Sequence, residues 1–391
     1  KSWQKIDNER FSADTVFPER FGHAMAVVSG KRVLIYGGTG CARYDDTSNT
    51  STGYCVEASR LNDLWEFDLL KWAGSGNPLS LMALSPVLNG LSGVSMISLP
   101  AQDYRILTFG GAGADYALTE MLTTQQNQSD AKFEYRELYF RASKAVNSSI
   151  QNKDSISSAS VASNSTHVMI FAGYLGNSRT AALHTYTLAA SSPALGLELM
   201  FVPASGPSAR SFPGVIKPDD TTLLMYGGVV KRESDGIVTK EASGELWRFD
   251  LNAQSWYKVH DTLASNKPRA YGAFGSVVAG ADTTLFVYGG LRDSFVSGRT
   301  FEPSTFDDDS MYQVSDDGHL YATSQASPQK SRLEREAWLE FRPSSATSKP
   351  EKRAFQTFNP GTFIAGKMSM MLFGGLNRQG LSTSDQDLSG V

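Results

Sequence analysis

Six times along the chain a short β-type apolar run ends in an aromatic residue and two small ones. The copies are Val33-Leu34-Ile35-Tyr36-Gly37-Gly38, Ile106-Leu107-Thr108-Phe109-Gly110-Gly111, Met169-Ile170-Phe171-Ala172-Gly173, Leu224-Met225-Tyr226-Gly227-Gly228, Phe286-Val287-Tyr288-Gly289-Gly290 and Met371-Leu372-Phe373-Gly374-Gly375. The first small residues are separated by 73, 62, 55, 62 and 85 residues, and by 54 from the last copy round through the termini to the first. That final interval resembles the others. The spacing is therefore consistent with a closed ring whose last unit is shared between the two ends of the chain. A unit that recurs in this way points to one domain of six units instead of the two or three domains that 391 residues would otherwise suggest.

Further landmarks recur in phase. An acidic-Leu-aromatic strand follows the small pair at Asp63-Leu64-Trp65, Glu137-Leu138-Tyr139 and Glu245-Leu246-Trp247. A second tryptophan comes later at Trp72, Trp256 and Trp338. Ahead of the apolar run an arginine stands near a proline: Pro18 with Arg20, Pro207 with Arg210, Pro268 with Arg269, Pro350 with Arg353. Each unit reads as one small antiparallel sheet. The apolar run is its buried second strand, the small pair is the tight turn that ends it, and the tryptophans fill the gap to the next sheet. A lone sheet of this kind cannot bury both faces, so neighbours must stack.

These landmarks resemble the kelch family of β-propellers over essentially the whole chain. Kelch units run about 50 residues with a glycine pair and a downstream tryptophan. The resemblance implies an all-β fold: one domain spanning 1–391, a six-bladed kelch-type β-propeller of four-stranded antiparallel blades. Two units depart from the pattern, since neither the second nor the third has the arginine and the third has Ala172 for the first glycine. Beyond Gly375 only 16 residues remain, without a tryptophan strand. Ser2-Trp3-Gln4-Lys5-Ile6 looks like that strand, so the N-terminal segment 1–8 is expected to complete the last blade. Asp316–Gln329 reads as an insertion in the long fifth interval.

Composition limits the function. Thirty-six basic against 40 acidic residues give a net charge of −4, which disfavours a phosphate-backbone binder. No apolar run approaches the roughly 18 residues of a membrane helix. Four N-x-S/T sequons, at Asn49, Asn127, Asn147 and Asn164, fall in Ser/Thr-rich stretches and point to a secreted protein or an ectodomain. Cys41 and Cys55 lie in one expected loop. Paired, they would close about 15 residues and stabilise by roughly 3 kcal/mol; unpaired, they are two free thiols.

In a propeller the loops after the glycine pairs and the segments carrying the arginines share one face. Arg20, His23, Arg210, Arg269, Tyr271, Arg292, Arg353 and Arg378 are thus the candidate partner-binding residues. The competing reading of the arginines is structural: they cap carbonyls and pair with acids. Long connections at Thr39–Arg60, Ala112–Lys132, Val229–Ser243 and Leu291–Asp309 would stand on the same face, where a rigid scaffold often carries recognition.

Chemistry is sparse. Gly361–Lys367 has P-loop spacing, but Met368 replaces the magnesium-binding hydroxyl and the segment reads as a β-hairpin. No G-x-S-x-G elbow occurs, and the five histidines are scattered. Asp307-Asp308-Asp309 lacks the alternating spacing of a calcium loop. No catalytic residue, metal or cofactor is expected. The leading reading is a non-catalytic extracellular interaction or adhesion module with a protein or glycan partner, like the kelch propellers of attractin-like proteins. The alternatives are a sialic-acid mutarotase or other carbohydrate-acting kelch enzyme, in which arginines clamp a carboxylate, and an intracellular kelch adaptor.

Overall fold

The fold was obtained as a computed structural model. It describes segments between Phe17 and Asn377; residues 1–16, 378–391 and a set of intervening stretches lie outside the description, the longest being 124–132, 138–155, 188–196, 297–310, 317–338 and 342–352. The described chain is almost entirely antiparallel sheet, with one short helix at Leu69–Ala73.

Each complete apolar run forms the second strand of a sheet, as its pattern predicts. The first sheet orders Ala24–Val28, Arg32–Tyr36, Leu64–Asp68 and Leu79–Met82. The third orders Ser160–Ser163, His167–Phe171, Leu183–Thr187 and Leu197–Met200. The fourth is Gly214–Ile216, Thr222–Tyr226, Leu246–Asp250 and Ser255–His260, and the fifth Ala273–Ala279, Asp282–Tyr288, Met311–Asp316 and Leu339–Phe341. Around the sixth copy Thr357–Phe358 pairs with Leu372–Phe373, and Thr362–Ile364 with Lys367–Ser369. The P-loop-like spacing therefore lies on a β-hairpin, as expected.

The second sheet corrects one assignment. Its strands are Ser95–Ser98, Arg105–Phe109, Leu118–Thr123 and Phe133–Glu137, with Leu84–Ser85 added parallel to the last. Glu137 therefore ends a fourth strand, whereas Asp63 and Glu245 precede a third. Register explains the difference: Leu118 opposes Phe109 as Leu64 opposes Tyr36 and Leu246 opposes Tyr226. An acidic residue beside an aromatic was not enough to fix position.

The second strands carry no polar alternation because both of their faces are covered. Val33 and Ile35 pack with Trp65, Phe67, Leu69 and Leu79, and with Phe373 from the last copy. Leu34 and Tyr36 pack the other way, with Met96 and Ile106 of the second sheet and with Leu91 and Val94 just ahead of it. The fourth sheet repeats this, Leu223 and Met225 facing the third sheet and Leu224 and Tyr226 the fifth. Each such fully buried side chain contributes about 1.5–3 kcal/mol of transfer free energy. First strands also meet in sequence: Ala24–Val28 touches Ser95–Ser98, which touches Ser160–Ser163, then Gly214–Ile216, then Ala273–Ala279, then Thr357–Phe358, which touches Ala24–Val28.

The expected loops after the small pairs are partly ladders. Thr39–Asp45 pairs with Tyr54–Arg60, and Val229–Ser234 with Ile237–Ala242. Ser294–Val296, from the next connection, adds to the edge of the latter ladder.

Candidate functional site

The ladders stand at the end of the sheets where the small pairs lie, and the pairs are elbows. Gly37 and Gly38 have φ of 65° and 96°. The strand leaving the elbow joins a second small sheet, in which Arg20 opposes Gly40 and Phe21 opposes Thr39. The same register recurs as Arg210 with Val230, Ile156 with Leu175 and Arg353 with Asn377. Neighbouring units are stitched here by three backbone bonds. Gly38 N–H donates to Leu91 O, Leu91 N–H to Leu61 O and Leu61 N–H to Gly38 O. Gly173, Arg210 and Thr180 repeat this circuit, as do Gly228, Arg269 and Ser243. Gly375 N–H donates to Arg20 O in the same manner.

Two of the predicted arginines are consumed inside this architecture. Arg20 is 3% exposed. Its Nη1 and Nη2 grip Asp63 at 2.7 Å each, Nη1 also donates to Gly37 O at 3.0 Å, and Nε donates to Pro18 O at 3.3 Å. Trp65 Nε1 donates to the same carboxylate at 2.6 Å. Arg210 is fully buried and does likewise, donating to Glu245 at 2.7 Å, Gly227 O at 2.8 Å and Ser208 O at 3.0 Å. Trp247 Nε1 donates to Glu245 at 3.2 Å, and Lys258 Nζ lies 3.0 Å from its other oxygen. Burial alone would raise both carboxyl pKa values. The guanidinium and indole bonds outweigh it, holding Asp63 below its ordinary range and Glu245 at about 2. These carboxylates are therefore charged counter-ions, and the structural reading of Arg20 and Arg210 replaces that of exposed partner contacts.

The third unit shows why arginine and acid travel together. There Ile156 stands at the arginine position and Ala182 at the acid position, its carbonyl accepting from Ala172 N–H as Asp63 O accepts from Gly37 N–H. A buried charge without its partner is costly, so both are absent. His184 then occupies the tryptophan position. It is buried, its Nε2 has no hydrogen-bond partner, and burial lowers its pKa to about 4. The unfolded chain, titrating near 6.5, takes the proton first as pH falls. The stability this site contributes is complete above pH 6.5 and is lost on the way down to pH 4. The urea midpoint is expected to fall over that interval, and less steeply in His184→Leu; identical slopes would contradict this account.

Ala172 itself has φ of 64°, a left-handed conformation that costs an L-residue about 1–2 kcal/mol. Against the entropy of an added glycine, Ala172→Gly is expected to stabilise by about 0.5–1 kcal/mol, read as a raised Tm.

His23 is buried as well, edge-on to Phe373 at 5.1 Å and close against Gly374. Burial, with the charge of Arg20 second, lowers its pKa to about 3. It belongs to the seam between the first and last copies and is not exposed for binding. Arg269 is also buried, with Nη1 donating to Pro268 O at 2.9 Å. Arg353 is placed by its backbone pairing with Asn377. Tyr271, Arg292 and Arg378 lie outside the described residues, as do all four sequons. Cys41 opposes Ala58 and Cys55 opposes Tyr44, an offset of three positions or about 10 Å along the strands. A disulfide needs Cα atoms within about 7 Å, so this register gives the expected staple no support. Among the described residues no cluster of His, Cys, Asp or Glu is placed to hold a metal ion, and no helix is long and apolar enough to cross a membrane.

No protein-family model matches the chain, and no curated protein does. The pairing of Arg20 with Asp63 and Arg210 with Glu245 was readable in principle. Both partners are present in the first and fourth units, and both positions are apolar in the third.

Proposed function

We propose that the chain is a six-bladed kelch-type β-propeller that acts as a non-catalytic extracellular interaction module. The ring reading is supported by the sequence of first-strand contacts, in which Thr357–Phe358 touches both Ala273–Ala279 and Ala24–Val28. The bond from Gly375 N–H to Arg20 O, made as other units make theirs to the next, supports it too. On this reading the last blade is completed by the N-terminal strand.

The observation that carries the functional reading is the extension of strands beyond the elbows into paired ladders at one end of the sheets. Backbone pairing holds these projections rigid, which lowers the entropy lost when a partner docks. The ladders, rather than the elbow arginines, form the docking surface. Arg20 and Arg210 have spent their bidentate donors internally, which argues against a carboxylate-clamping sugar site built on those two. The four sequons, at Asn49, Asn127, Asn147 and Asn164, support an extracellular setting.

The test is cell-surface binding of purified chain by flow cytometry, alongside a variant in which residues 42–56 are replaced by a two-residue turn. Expected is an unchanged Tm with binding reduced at least about tenfold, equivalent to 1.4 kcal/mol. Equal binding by the two proteins would contradict the ladder as the contact. Native protein whose mass is unchanged by peptide N-glycosidase would contradict the extracellular assignment.

A further inference from the structure

The two long ladders differ at one edge. In the fourth unit the outer strand, Ile237–Ala242, is paired on both sides. Val229–Ser234 lies on one side, and Ser294–Val296 lies antiparallel on the other, with Phe295 opposite Lys240 and Ser294 opposite Glu241. In the first unit the outer strand is Tyr54–Arg60. It pairs with Thr39–Asp45 and, among the described residues, with no other strand.

The two edges correspond residue by residue. Thr39 opposes Arg60 as Val229 opposes Ala242, so Glu57–Ser59 corresponds to Thr239–Glu241. At the base of both ladders the next unit already uses this edge. Leu91 N–H donates to Leu61 O at 3.1 Å, and Arg269 N–H to Ser243 O at 2.9 Å. Gly90 of the second unit comes so near that a Cβ there would run into Arg60 O. The edge is thus the continuation of a backbone-paired seam between units. In the fourth unit that pairing runs on along the ladder; in the first it ends, among the described residues, at Arg60. From Ala58 to Arg60 the register against Cys41, Gly40 and Thr39 is unbroken, so the strand is regular where the seam would continue. A strand edge of this kind is a template for a further strand: main-chain bonds supply affinity and alternate side chains supply selection.

We propose that an extended segment of a partner protein adds antiparallel to Glu57–Ser59 as a further strand of the first ladder. The proposal rests on the reading of the ladders as the docking surface and names what this ladder takes. The fourth unit supplies the chemistry of the occupant. The strand there is Ser294-Phe295-Val296, free of proline and rich in the residue types that suit a pleated edge. The partner segment therefore lacks proline and places an aromatic or β-branched residue opposite Ala58, as Phe295 stands opposite Lys240.

Residue-resolved amide exchange on the full chain tests it, with a synthetic peptide of residues 291–299 as the probe. Without peptide, the amides of Glu57–Ser59 that point away from Thr39–Asp45 are expected to exchange fast and their alternate neighbours slowly. About 1 mM peptide is expected to slow the fast set at least about tenfold, which corresponds to a Kd near 0.1 mM or below. N-methylation of alternate peptide residues is expected to abolish the slowing in one register and spare it in the other, a pattern that side-chain contact alone does not give. Three results would overturn the proposal: fast amides that the peptide leaves fast, slowing indifferent to N-methylation, and amides already slow in the free chain, because the edge would then be filled from within. Peptide-insensitive amides in a protein whose cell binding still needs residues 42–56 would sink the strand addition and leave the ladder reading standing. Cell binding indifferent to those residues would overturn both.

Discussion

Asp63→Ala is expected to destabilise the protein by about 3–5 kcal/mol, because it leaves the Arg20 guanidinium buried without a counter-charge. It also removes the acceptor of the Trp65 indole N–H. The double variant Arg20→Ile, Asp63→Ala is expected to be more stable than Asp63→Ala alone. The third unit already builds the same junction from Ile156 and Ala182 with no ion pair. Chemical denaturation of the two variants and the parent decides the matter. A double variant at least as unstable as the single one would show that the guanidinium is held for its hydrogen bonds to Gly37 O and Pro18 O and not for its charge balance. The net worth of the intact pair is smaller than the cost of breaking it, since desolvation of both ions offsets much of their attraction.

Gly38→Ala has a comparable expected effect for a different reason. A Cβ there would lie 2.8 Å from Phe21 O and 2.9 Å from His23 Cβ, on a backbone with φ of 96°. Neither contact is the free end of a flexible side chain. Strain of this kind costs about 1–3 kcal/mol before the displaced elbow is counted. The elbow also carries the bonds to Leu91 and Leu61, so loss of its geometry loosens the first sheet from the second. The Tm is expected to drop by about 1–4 °C from the strain alone, and further if the elbow opens. An unchanged Tm would mean that the elbow relaxes freely and does not clamp adjacent units.

Much of this architecture is legible in the amino-acid sequence. Tyr36, Tyr226 and Tyr288 each end a run whose second-strand position and burial follow from apolar continuity, which only a strand covered on both faces requires. The site was less legible. Arg20 and Arg210 look alike to a partner-binding arginine in sequence, and their burial depends on acids 43 and 35 residues away that only register brings near. The ladders at Tyr54–Arg60 and Ile237–Ala242 were hidden because the alternation in the first runs only over Tyr54, Val56 and Ala58, the second shows none, and both lie in long connections that read as loops. Glu137 misled through the opposite weakness, carrying the right residues at the wrong register.

The central claim is that the last unit closes on the first. A double-mutant cycle on Phe17 and Phe373, whose rings meet at 5.1 Å across that seam, measures it directly. Phe17→Ala, Phe373→Ala and the double variant are compared by urea denaturation. A closed ring predicts a coupling of about 1 kcal/mol between the two rings. Additive effects, within about 0.3 kcal/mol, would mean that the two ends of the chain do not meet in solution.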